Sequence, residues 1–374
     1  MVRKVLKWLG AIVALFILGA FVFGPEIVEK TMNQTLPHAA EAPSVRARDL
    51  HKTLLIADLH ADSLLWRRHL LDRGTRGHLD VPRLIEGNVA LQAFTIVTKV
   101  PRGINIERND AGSDVIQPLM ILQLRPFAAW TSLTARALDQ AERLSEFAGK
   151  SDGKFTVITS RAELAAYLVR RERLASPNRL SDPGITAGFL GVEGAHALDG
   201  DLANLERLFD AGVRMMSPAH FFDNEFGGSA HGVNKGGLTP LGRQLIQRMQ
   251  AKKMIVDLAH ASPKTFADVM ALSTRPVVVS HTGVKGTCDN TRNLSDDQIR
   301  AIARAGGVIG VGYWETAVCG TDAKAIARAI RYAPFDTSEL VRITEALLAE
   351  KFSEADIRLI MGENILRLLK ENLP

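Results

Sequence analysis

The feature of this sequence that most constrains its fold is an alternation of short apolar runs with amphipathic stretches, which begins near residue 50. Several runs are rich in Val and Ile and almost continuously apolar, which is typical of parallel strands buried on both faces. The stretches between them carry helix signals, such as an N-cap followed by proline at Thr239-Pro240 and at Ser262-Pro263. The apolar runs cover residues 54–58, 88–97, 186–192, 213–216, 254–258, 276–280 and 306–313.

A strand followed by a helix, repeated about seven times, predicts an α/β fold of the TIM-like (β/α)8 barrel type. The doubly wound alternative would need a glycine-rich phosphate turn after the first strand, and none follows residues 54–58. Residues 99–180 are longer than one crossover needs and have a helical pattern, so we expect a helical insertion there. The barrel domain is predicted to cover residues 49–374.

The N-terminus has the pattern of an export signal. A short basic head precedes seventeen residues without a charge, Trp8–Gly24, a length that suits a signal-peptide core or a short membrane span. Residues 1–24 are predicted to be an uncleaved signal anchor, because the only cleavage candidate, HAAEA at 38–42, comes late after the apolar run. A cleaved signal peptide is the alternative. The domain is then exported, either tethered to the membrane by residues 5–24 or secreted. Residues 25–48 contain three prolines and are predicted to be a linker.

The formal net charge of +5 does not indicate a nucleic-acid partner. The basic head, residues 3–7, supplies three of these charges. The rest of the chain has no basic run or basic-aromatic patch that would follow phosphates, so nucleic-acid binding is not expected. The only two cysteines, Cys288 and Cys319, could form a disulfide in an exported chain or remain two unrelated buried thiols.

Histidines and carboxylates follow the predicted strands at the points where the apolar runs end. Five of the ten histidines lie there, accompanied by two acidic residues. A single such histidine is more often a satisfied core or loop residue, but unpaired buried polar groups cost several kcal/mol each. Packing therefore does not explain the whole set, and in a barrel the carboxyl ends of the strands build the active site. The residues concerned are His60, Asp62, Glu193, His196, His220, His260 and His281.

These residue types predict a site for two metal ions. Imidazole and carboxylate suit zinc and similar divalent ions. His60 and Asp62 are two apart and share one face of a strand, so both can reach one ion, while His260 and His281 could hold a second. Glu193 could bridge the two ions, and a shared water would then lose a proton and attack a carbonyl, so hydrolysis of an amide is the predicted reaction. No Gly-x-Ser-x-Gly turn offers a serine nucleophile, and neither cysteine follows a strand–helix elbow.

Five ordered segments resemble the membrane dipeptidase (renal dipeptidase, peptidase M19) family, a branch of the metal-dependent amidohydrolase-like barrels. They are DLHADSLLW, GVEGAH, DLAHAS, VVVSHTGV and TRNLSD, and the resemblance runs from about residue 50 to the C-terminus. It implies a zinc-dependent dipeptidase that binds two Zn²⁺ per chain and cleaves dipeptides through a metal-bridged hydroxide. The sequence leaves open whether the chain forms a homodimer.

The resemblance also implies a role for each matching residue. The implied zinc ligands are His60, Asp62, Glu193, His260 and His281, with Glu193 as the bridge. His220 matches the family histidine that contacts the substrate and stabilises the tetrahedral intermediate, and Arg292 matches the arginine that holds the substrate carboxylate. The two cysteines fall where family members place a disulfide, which implies a Cys288–Cys319 bridge. Asp58, Asp257 and Ser280 are expected to orient ligands, His196 to lie behind the site or in a loop, and His69, His78 and His231 to be solvated.

The sequence departs from the family pattern at the last barrel strand. Family members have there an apolar strand that ends in Gly-Ser-Asp, whose aspartate assists with the substrate amine and the catalytic proton. No such run lies between Ile330 and Pro334, and the only Gly-Ser-Asp, residues 112–114, lies in the insertion. We therefore predict that the eighth strand is missing, which would leave two strand edges unpaired unless another segment or a partner chain fills the gap. Asp336 is a candidate substitute for the lost aspartate.

The sequence supports three hypotheses about function. The first is a dizinc dipeptidase with an altered final sector. The second is a catalytically impaired or silent, membrane-anchored zinc-binding homologue, which the missing strand favours and the retained His220 and Arg292 oppose. The third is a lactonase- or phosphotriesterase-like hydrolase; those enzymes usually begin with His-x-His and use a carbamylated lysine as the bridge, and His60-x-Asp62 with Glu193 argues against it.

Overall fold

The computed structural model of the chain describes residues 2–33, 42–174, 184–320, 323–329 and 340–374. These residues form parallel strands alternating with helices, as the apolar runs predict. The strands are β1 (Ile56–Ala61), β2 (Val89–Ile96), β3 (Phe155–Val157), β4 (Thr186–Val192), β5 (Val213–Met216), β6 (Ile255–Val256), β7 (Val278–Thr282) and β8 (Val308–Val311).

The helices lie before, between and after these strands. They are α1 (Val2–Met32), α2 (Val45–Lys52), α3 (Val81–Glu86), α4 (Ile116–Leu122), α5 (Leu133–Gly149), α6 (Arg161–Leu174), α7 (Ala203–Asp210), α8 (Pro240–Ala251), α9 (Pro263–Leu272), α10 (Asp296–Arg304), α11 (Glu315–Val318), α12 (Ala323–Ala329), α13 (Val341–Ala349), α14 (Glu354–Arg358) and α15 (Asn364–Asn372). The expected insertion contains α4, α5 and α6, together with the short strand β3, which the sequence pattern does not predict.

The sheet is a curled parallel array that confirms the TIM-like α/β prediction. Its strands pair in the order β1-β2-β4-β5-β6, with β3 beside the first residues of β4. A single bridge between Asp257 and Val278 connects β6 to β7, which pairs with β8. Strands β2 and β4 are buried along their whole length because helices cover one face and the barrel interior the other. The carboxyl ends of all these strands therefore lie at one end of the array.

Strands β8 and β1 mark an open side of the array. Within the described ranges, neither β8 nor β1 has a strand partner on this side. A cavity of about 580 Å³ lies there, lined by both strands and by side chains of the C-terminal helices such as Ile343 and Met361. The backbone of Gly362 approaches Leu55 and Ala57 so closely that no Cβ would fit, so the C-terminal segment covers the start of the β1 edge. The predicted deletion, at 330–334, lies outside the described residues and stays a prediction.

Segments before β1 and after β8 pack on one another near this open side. The imidazole of His51 in α2 is buried, with Nδ1 2.9 Å from Thr344 Oγ1 in α13 and Nε2 3.1 Å from the carbonyl oxygen of Gly87. Since a carbonyl oxygen only accepts, Nε2 carries the proton and Nδ1 accepts from the threonine hydroxyl. Burial, partly offset by the bond to Gly87, lowers the pKa of His51 to about 4, so the imidazole is neutral in the folded chain.

Helix α1 is longer than the predicted signal segment. Among the described residues it is the one helix whose length and composition would allow it to cross a bilayer, and its most apolar window, of mean hydropathy 2.3, is not buried by the rest of the chain. It fits a signal anchor or a signal peptide. The helix continues through Pro25 to Met32 and α2 begins at Val45, so both ends of the segment predicted as a linker, 25–48, are helical. Buried contacts of the last two turns, at Pro25 and Glu29, explain why the helix persists.

Candidate metal centre

The carboxyl ends of the strands bring the predicted site residues together. His60 lies in β1 and Asp62 directly follows it, while Glu193 follows the last residue of β4. His220 comes four residues after β5, and His260 four residues after β6. His281 lies in β7, which ends one residue later. Because parallel strands end at one edge of the sheet, side chains far apart in the sequence converge there.

The carboxylate of Glu193 is the centre of the cluster. Its Oε1 lies 2.9 Å from Nε2 of His260 and 3.2 Å from Nε2 of His281, and its Oε2 lies 3.1 Å from Nε2 of His220. The Nε2 atoms of His260 and His281 are themselves 3.0 Å apart. All four side chains are buried. One carboxylate therefore faces three imidazole nitrogens with little water between them.

His60 and Asp62 form the second part of the cluster. Nε2 of His60 lies 3.4 Å from Oδ2 of Asp62, as their two-residue spacing predicts, and the His60 ring stacks on that of His281 with centroids 3.6 Å apart. The hydroxyl of Thr95, in β2, donates to Oδ1 of Asp62 at 2.6 Å and fixes this carboxylate. His60 thus lies beside His281 rather than in a separate site.

Two overlapping sets of donor atoms could each hold an ion. The first contains His60, Glu193 and His281, and the second Glu193, His220 and His260, with donor atoms within 4.8 Å of one another in each set. This grouping differs from the pairing of His260 with His281 on one ion that the sequence predicts, and it puts His220 at ligand distance from Glu193. Glu193 belongs to both sets, as a bridging carboxylate would.

One buried oxygen of the cluster lacks a partner that a metal ion would supply. Glu193 Oε1 is buried and accepts no hydrogen bond within the described part of the chain. Such an atom is costly unless something satisfies it. Two ligands held at about 2.0–2.1 Å from a tetrahedral zinc lie roughly 3.3 Å apart, which is close to the spacings around Glu193. The donor set, imidazole plus carboxylate, is the one zinc prefers.

The tautomer of His281 is fixed by a chain of hydrogen bonds. Ser280 Oγ donates its proton to Oδ2 of Asp257 at 2.5 Å, and Oγ lies 2.9 Å from Nδ1 of His281. Because the serine proton is already used, Nδ1 of His281 must donate to Oγ. Nε2 is then unprotonated, and its lone pair faces Glu193. Asp257 is held in turn by the backbone N–H groups of Ala259 and Ser280. Asp257 and Ser280 thus orient His281, as expected from the sequence.

The electrostatics of the pocket also suit a cation. Burial lowers the pKa values of His220, His260 and His281 well below the ordinary value, so these imidazoles are neutral and can bind a metal. Burial raises the pKa of Glu193 to about 8, although His60 opposes the shift. For His60, burial lowers the pKa, but the carboxylates of Asp62 and Glu193 outweigh it and raise the pKa to about 9. Without a cation, burial therefore disfavours the charged form of Glu193, and a bound metal ion would supply the compensating charge.

Arg292 extends the site beyond the cluster. Its guanidinium is buried, donates from Nη2 to the carbonyl oxygen of His281 at 2.7 Å, and lies 5.5 Å above the ring of Trp314. Burial lowers its pKa to about 10, and Glu193 and Asp257 partly offset this, so Arg292 remains a cation. It offers a positive fork beside the carboxylate-rich cluster, as required for binding an anionic group.

The loop that carries Arg292 is tied to the segment after β8. Cys288 and Cys319 form a disulfide with Sγ atoms 2.04 Å apart, which agrees with the pairing that the resemblance implies. Asn293 donates from Nδ2 to the carbonyl oxygens of Cys288, at 2.7 Å, and Ala317, at 2.8 Å. These bonds restrict the loop on both sides of the guanidinium.

The structure adds one histidine that the sequence interpretation places wrongly in solvent. His231 is only 2% exposed, and its ring centroid lies 5.0 Å from that of His260. Its Nδ1 lies 2.8 Å from the carbonyl oxygen of Ile106. Burial lowers its pKa to about 4, so it is neutral. The glycine pair 227–228 that precedes it lets the loop fold back on β6, but no sequence period marks such a loop as buried. His196 is buried behind His220, as expected.

Comparison with known proteins agrees with this geometry. The family model described as membrane dipeptidase (peptidase family M19) matches residues 44–333. A protein in the pqqA 5′ region of Klebsiella pneumoniae is 35% identical over 161 residues, which are 40% of this chain and 59% of that protein. The chain therefore spans less than two thirds of that relative.

Solved structures share the fold. A family M19 metallopeptidase described as dipeptidase AC has a TM-score of 0.67 and 24% identity, covering 86% of this chain and 99% of that one. A metallopeptidase from Rhodobacter sphaeroides, liganded with a phosphinate mimic of the dipeptide L-Ala-D-Ala, has a TM-score of 0.66 and 23% identity, covering 86% of this chain and 100% of that one. The family is metal-dependent, and the cluster around Glu193 lies where such a fold places its active site. The family match covers most of the chain, and the chain belongs to the membrane dipeptidase family, peptidase family M19.

Proposed function

We propose that this chain is a dizinc dipeptidase that is exported and acts at the membrane surface. The observation that carries the proposal is Glu193, a buried carboxylate whose two oxygens face the Nε2 atoms of three histidines at 2.9–3.2 Å. Zinc would be held by His60, Asp62, Glu193, His260 and His281. When bound, two zinc ions polarise the scissile carbonyl and acidify a water molecule.

The residues of the chain prepare the site for that chemistry. Glu193 lies close to His60 on the one hand and to His260 and His281 on the other, and the Asp257–Ser280 pair presents the lone pair of His281. His220 is neutral and is held against Oε2 of Glu193, so it can donate a hydrogen bond to a developing oxyanion only after that contact is released. Burial of the cluster keeps bulk water from competing with the substrate.

Substrate length is set by Arg292 in this proposal. A guanidinium binds a carboxylate through two parallel hydrogen bonds, and Arg292 stays cationic beside the metal cluster. A substrate whose C-terminal carboxylate meets Arg292 while its first carbonyl meets the metal can contain only one peptide bond between them. The dipeptide mimic in the Rhodobacter sphaeroides structure supports substrates of this class.

The gap between β8 and β1 favours a second candidate, a zinc-binding homologue with impaired turnover. The cavity in the gap is lined by His60 and His281, and no strand among the described residues closes the site on this side. A site open to water loses part of the electrostatic advantage of burial. The intact cluster predicts metal binding in both cases, and the two candidates differ in turnover alone.

Metal content and peptide hydrolysis test the proposal together. The full chain, purified in detergent and loaded with zinc, should bind about two ions per chain and release amino acids from Gly-dipeptides or L-Ala-D-Ala. The Glu193→Gln variant should retain the fold but lose metal and activity. Assays with an aryl ester or a lactone as substrate test the lactonase-like alternative. A zinc-loaded chain without hydrolysis would refute the dipeptidase and leave the silent homologue. A variant with a restored Gly-Ser-Asp strand then separates an impaired enzyme from a complete one.

Export is the remaining part of the proposal. The apolar part of α1 is exposed along its length, and the Cys288–Cys319 bridge is the kind of bond that persists in oxidising compartments. Cysteine-reactive labelling of spheroplasts, with and without reductant, would locate the domain: a bridge that is reduced in the cell would contradict export.

A further inference from the structure

The last turns of α1 are docked on the domain rather than joined to it by a free linker. Pro25 and Glu29 are buried, and the Glu29 carboxylate lies 3.1 Å from Nε of Arg68 and 3.5 Å from Nε of Arg76. Arg76 also contacts Glu26, at 2.7 Å. A buried carboxylate paired with two guanidinium groups holds the helix in one position, because separating them would leave a buried charge without a partner.

A second contact lies about one helical turn before Pro25, nearer to the apolar part of α1. Pro25 has no N–H group, so the carbonyl oxygen of Phe21 loses its normal partner within the helix. The guanidinium of Arg67 points at this oxygen, with Nη1 3.4 Å away. Beside it, the side chain of Leu122 in α4 lies against Gly24, where an added Cβ would be 3.0 Å from Leu122 Cδ1. The apolar part of α1 therefore leaves the domain next to the end of α4.

The loop that follows α4 exposes apolar side chains at this same place. We call residues 124–130 the apolar loop. Leu124 is 62% exposed and Phe127 is 76% exposed, and Pro126 and Ala128 are exposed as well. The ring of Trp130 lies 5.2 Å from that of Phe127. So many exposed apolar residues in one short loop indicate a binding surface.

The backbone at Leu124 points to the same conclusion. Its φ is +54°, and the N–H groups of Leu124 and Arg125 bond to the carbonyl oxygens of Ile121 and Met120 at 2.9 and 3.0 Å. This is a helix C-terminal motif in which glycine is the usual residue, because a side chain at positive φ is strained. A leucine here is disfavoured both by its backbone and by its exposure to water, and a contact with an apolar phase would offset the second cost.

We propose that the apolar loop inserts into the lipid bilayer beside α1, so that the domain has two membrane contacts and one fixed orientation. Leu124 and Phe127 would enter the headgroup region, and Trp130 would lie at its edge, where amphipathic aromatic rings are favoured. Arg67 beside the loop and Arg125 within it suit anionic headgroups, although Asp139 lies 3.8 Å from Arg125 and reduces its field. The inference rests on the proposed membrane anchoring and is independent of peptide hydrolysis.

Fluorophores attached to single cysteines in the full chain test this inference. Both native cysteines are in the disulfide, so Phe127→Cys introduces one reactive thiol. Phe352→Cys is the matched control, an exposed phenylalanine (38%) for which no contact with α1 or α4 is described. Each variant is labelled with an environment-sensitive fluorophore, reconstituted in liposomes of phosphatidylcholine and phosphatidylglycerol, and titrated with lipids that carry a quencher near the headgroup. Leu124→Cys is a second reporter if the first variant folds poorly.

Emission from position 127 should shift to the blue and be quenched by the labelled lipids, while emission from position 352 should do neither. Equal, water-like emission from both positions would overturn the proposal. A blue shift at position 127 without lipid quenching, accompanied by crosslinking of two Phe127→Cys chains through the introduced thiols, would show that a second copy covers the loop and would also overturn it. Either overturning result would leave the dipeptidase proposal intact, because metal content and peptide hydrolysis are measured separately.

Discussion

The hydrogen-bond chain behind His281 predicts that Ser280, which would not contact the metal, affects how tightly the metal binds. In Ser280→Ala the hydroxyl that bridges Asp257 and His281 is lost, together with the 2.5 and 2.9 Å contacts it makes. The backbone bonds to Oδ1 of Asp257 remain, so the carboxylate keeps its position. The imidazole of His281, however, is then free to place its proton on Nε2, the atom that should face the metal.

The expected size follows from the position of the serine outside the metal's direct ligands. Removing such a hydrogen-bond partner of a metal ligand lowers metal affinity by about 10–100-fold. This corresponds to roughly 1.4–2.8 kcal/mol of binding free energy. Ser280→Thr keeps a hydroxyl on a β-branched residue suited to β7, so it should restore most of the affinity.

Zinc affinity is measured by competition with a chromophoric chelator at neutral pH, on chain stripped of metal. Ser151→Ala is the matched control, since Ser151 is also buried and also bonds through its hydroxyl, but to the backbone of Ala148 and Phe155. That variant should lose stability without losing affinity. Equal zinc affinity for Ser280→Ala and the original chain would refute the claim that this hydrogen-bond chain selects the tautomer of His281.

Three further predictions concern other parts of the chain. The pKa of His51 is about 4 in the folded chain and 6.5 ordinarily, so the stability that its neutral imidazole contributes is present above pH 6.5 and is lost as the pH falls towards 4. We compare the unfolding free energies of the original chain and of His51→Gln. The difference between them should shrink by up to about 3 kcal/mol from pH 6.5 to pH 4. A pH-independent difference between the two unfolding curves would contradict this. Replacing both Cys288 and Cys319 by serine removes a bridge between residues 31 apart and should cost about 3–4 kcal/mol in the same measurement, while reductant should have no further effect on that variant. Arg292→Lys should raise KM for dipeptides by about 10–100-fold with a smaller change in kcat, since a lysine cannot form two parallel bonds to a carboxylate; equal losses for dipeptides and their C-terminal amides would argue against carboxylate binding.

The core of the fold and of the site could be predicted because both depend on local patterns. Strands buried on both faces are continuous apolar runs, and histidines and carboxylates at their ends interrupt those runs with residues that packing does not explain. His60, Glu193, His260 and His281 were identifiable for this reason. The family resemblance then supplied roles that the residue types alone leave open, such as that of Arg292.

The remaining features depend on tertiary contacts without a sequence period. The three-residue strand β3 is too short to show alternation. The burial of His231 depends on a loop that folds over β6, and the extension of α1 past Pro25 depends on Arg67 and Glu29, whose partners lie about forty residues away. In each case a tertiary contact outweighed the local preference for turn or linker.

The packing of the C-terminal segment on the first strand has a consequence for the order in which the chain acquires its structure. Arg358 donates to the carbonyl oxygen and hydroxyl of Thr53, just before β1, across a separation of 305 residues. Gly362 then lies on the edge of β1 itself. A ribosome that has made β1 must therefore add almost the whole remaining domain before that edge can be covered, so the nascent chain carries an open strand edge during most of its synthesis. Binding by a holding chaperone until the last helices emerge would suit such a chain, and β1 is the segment we expect it to protect.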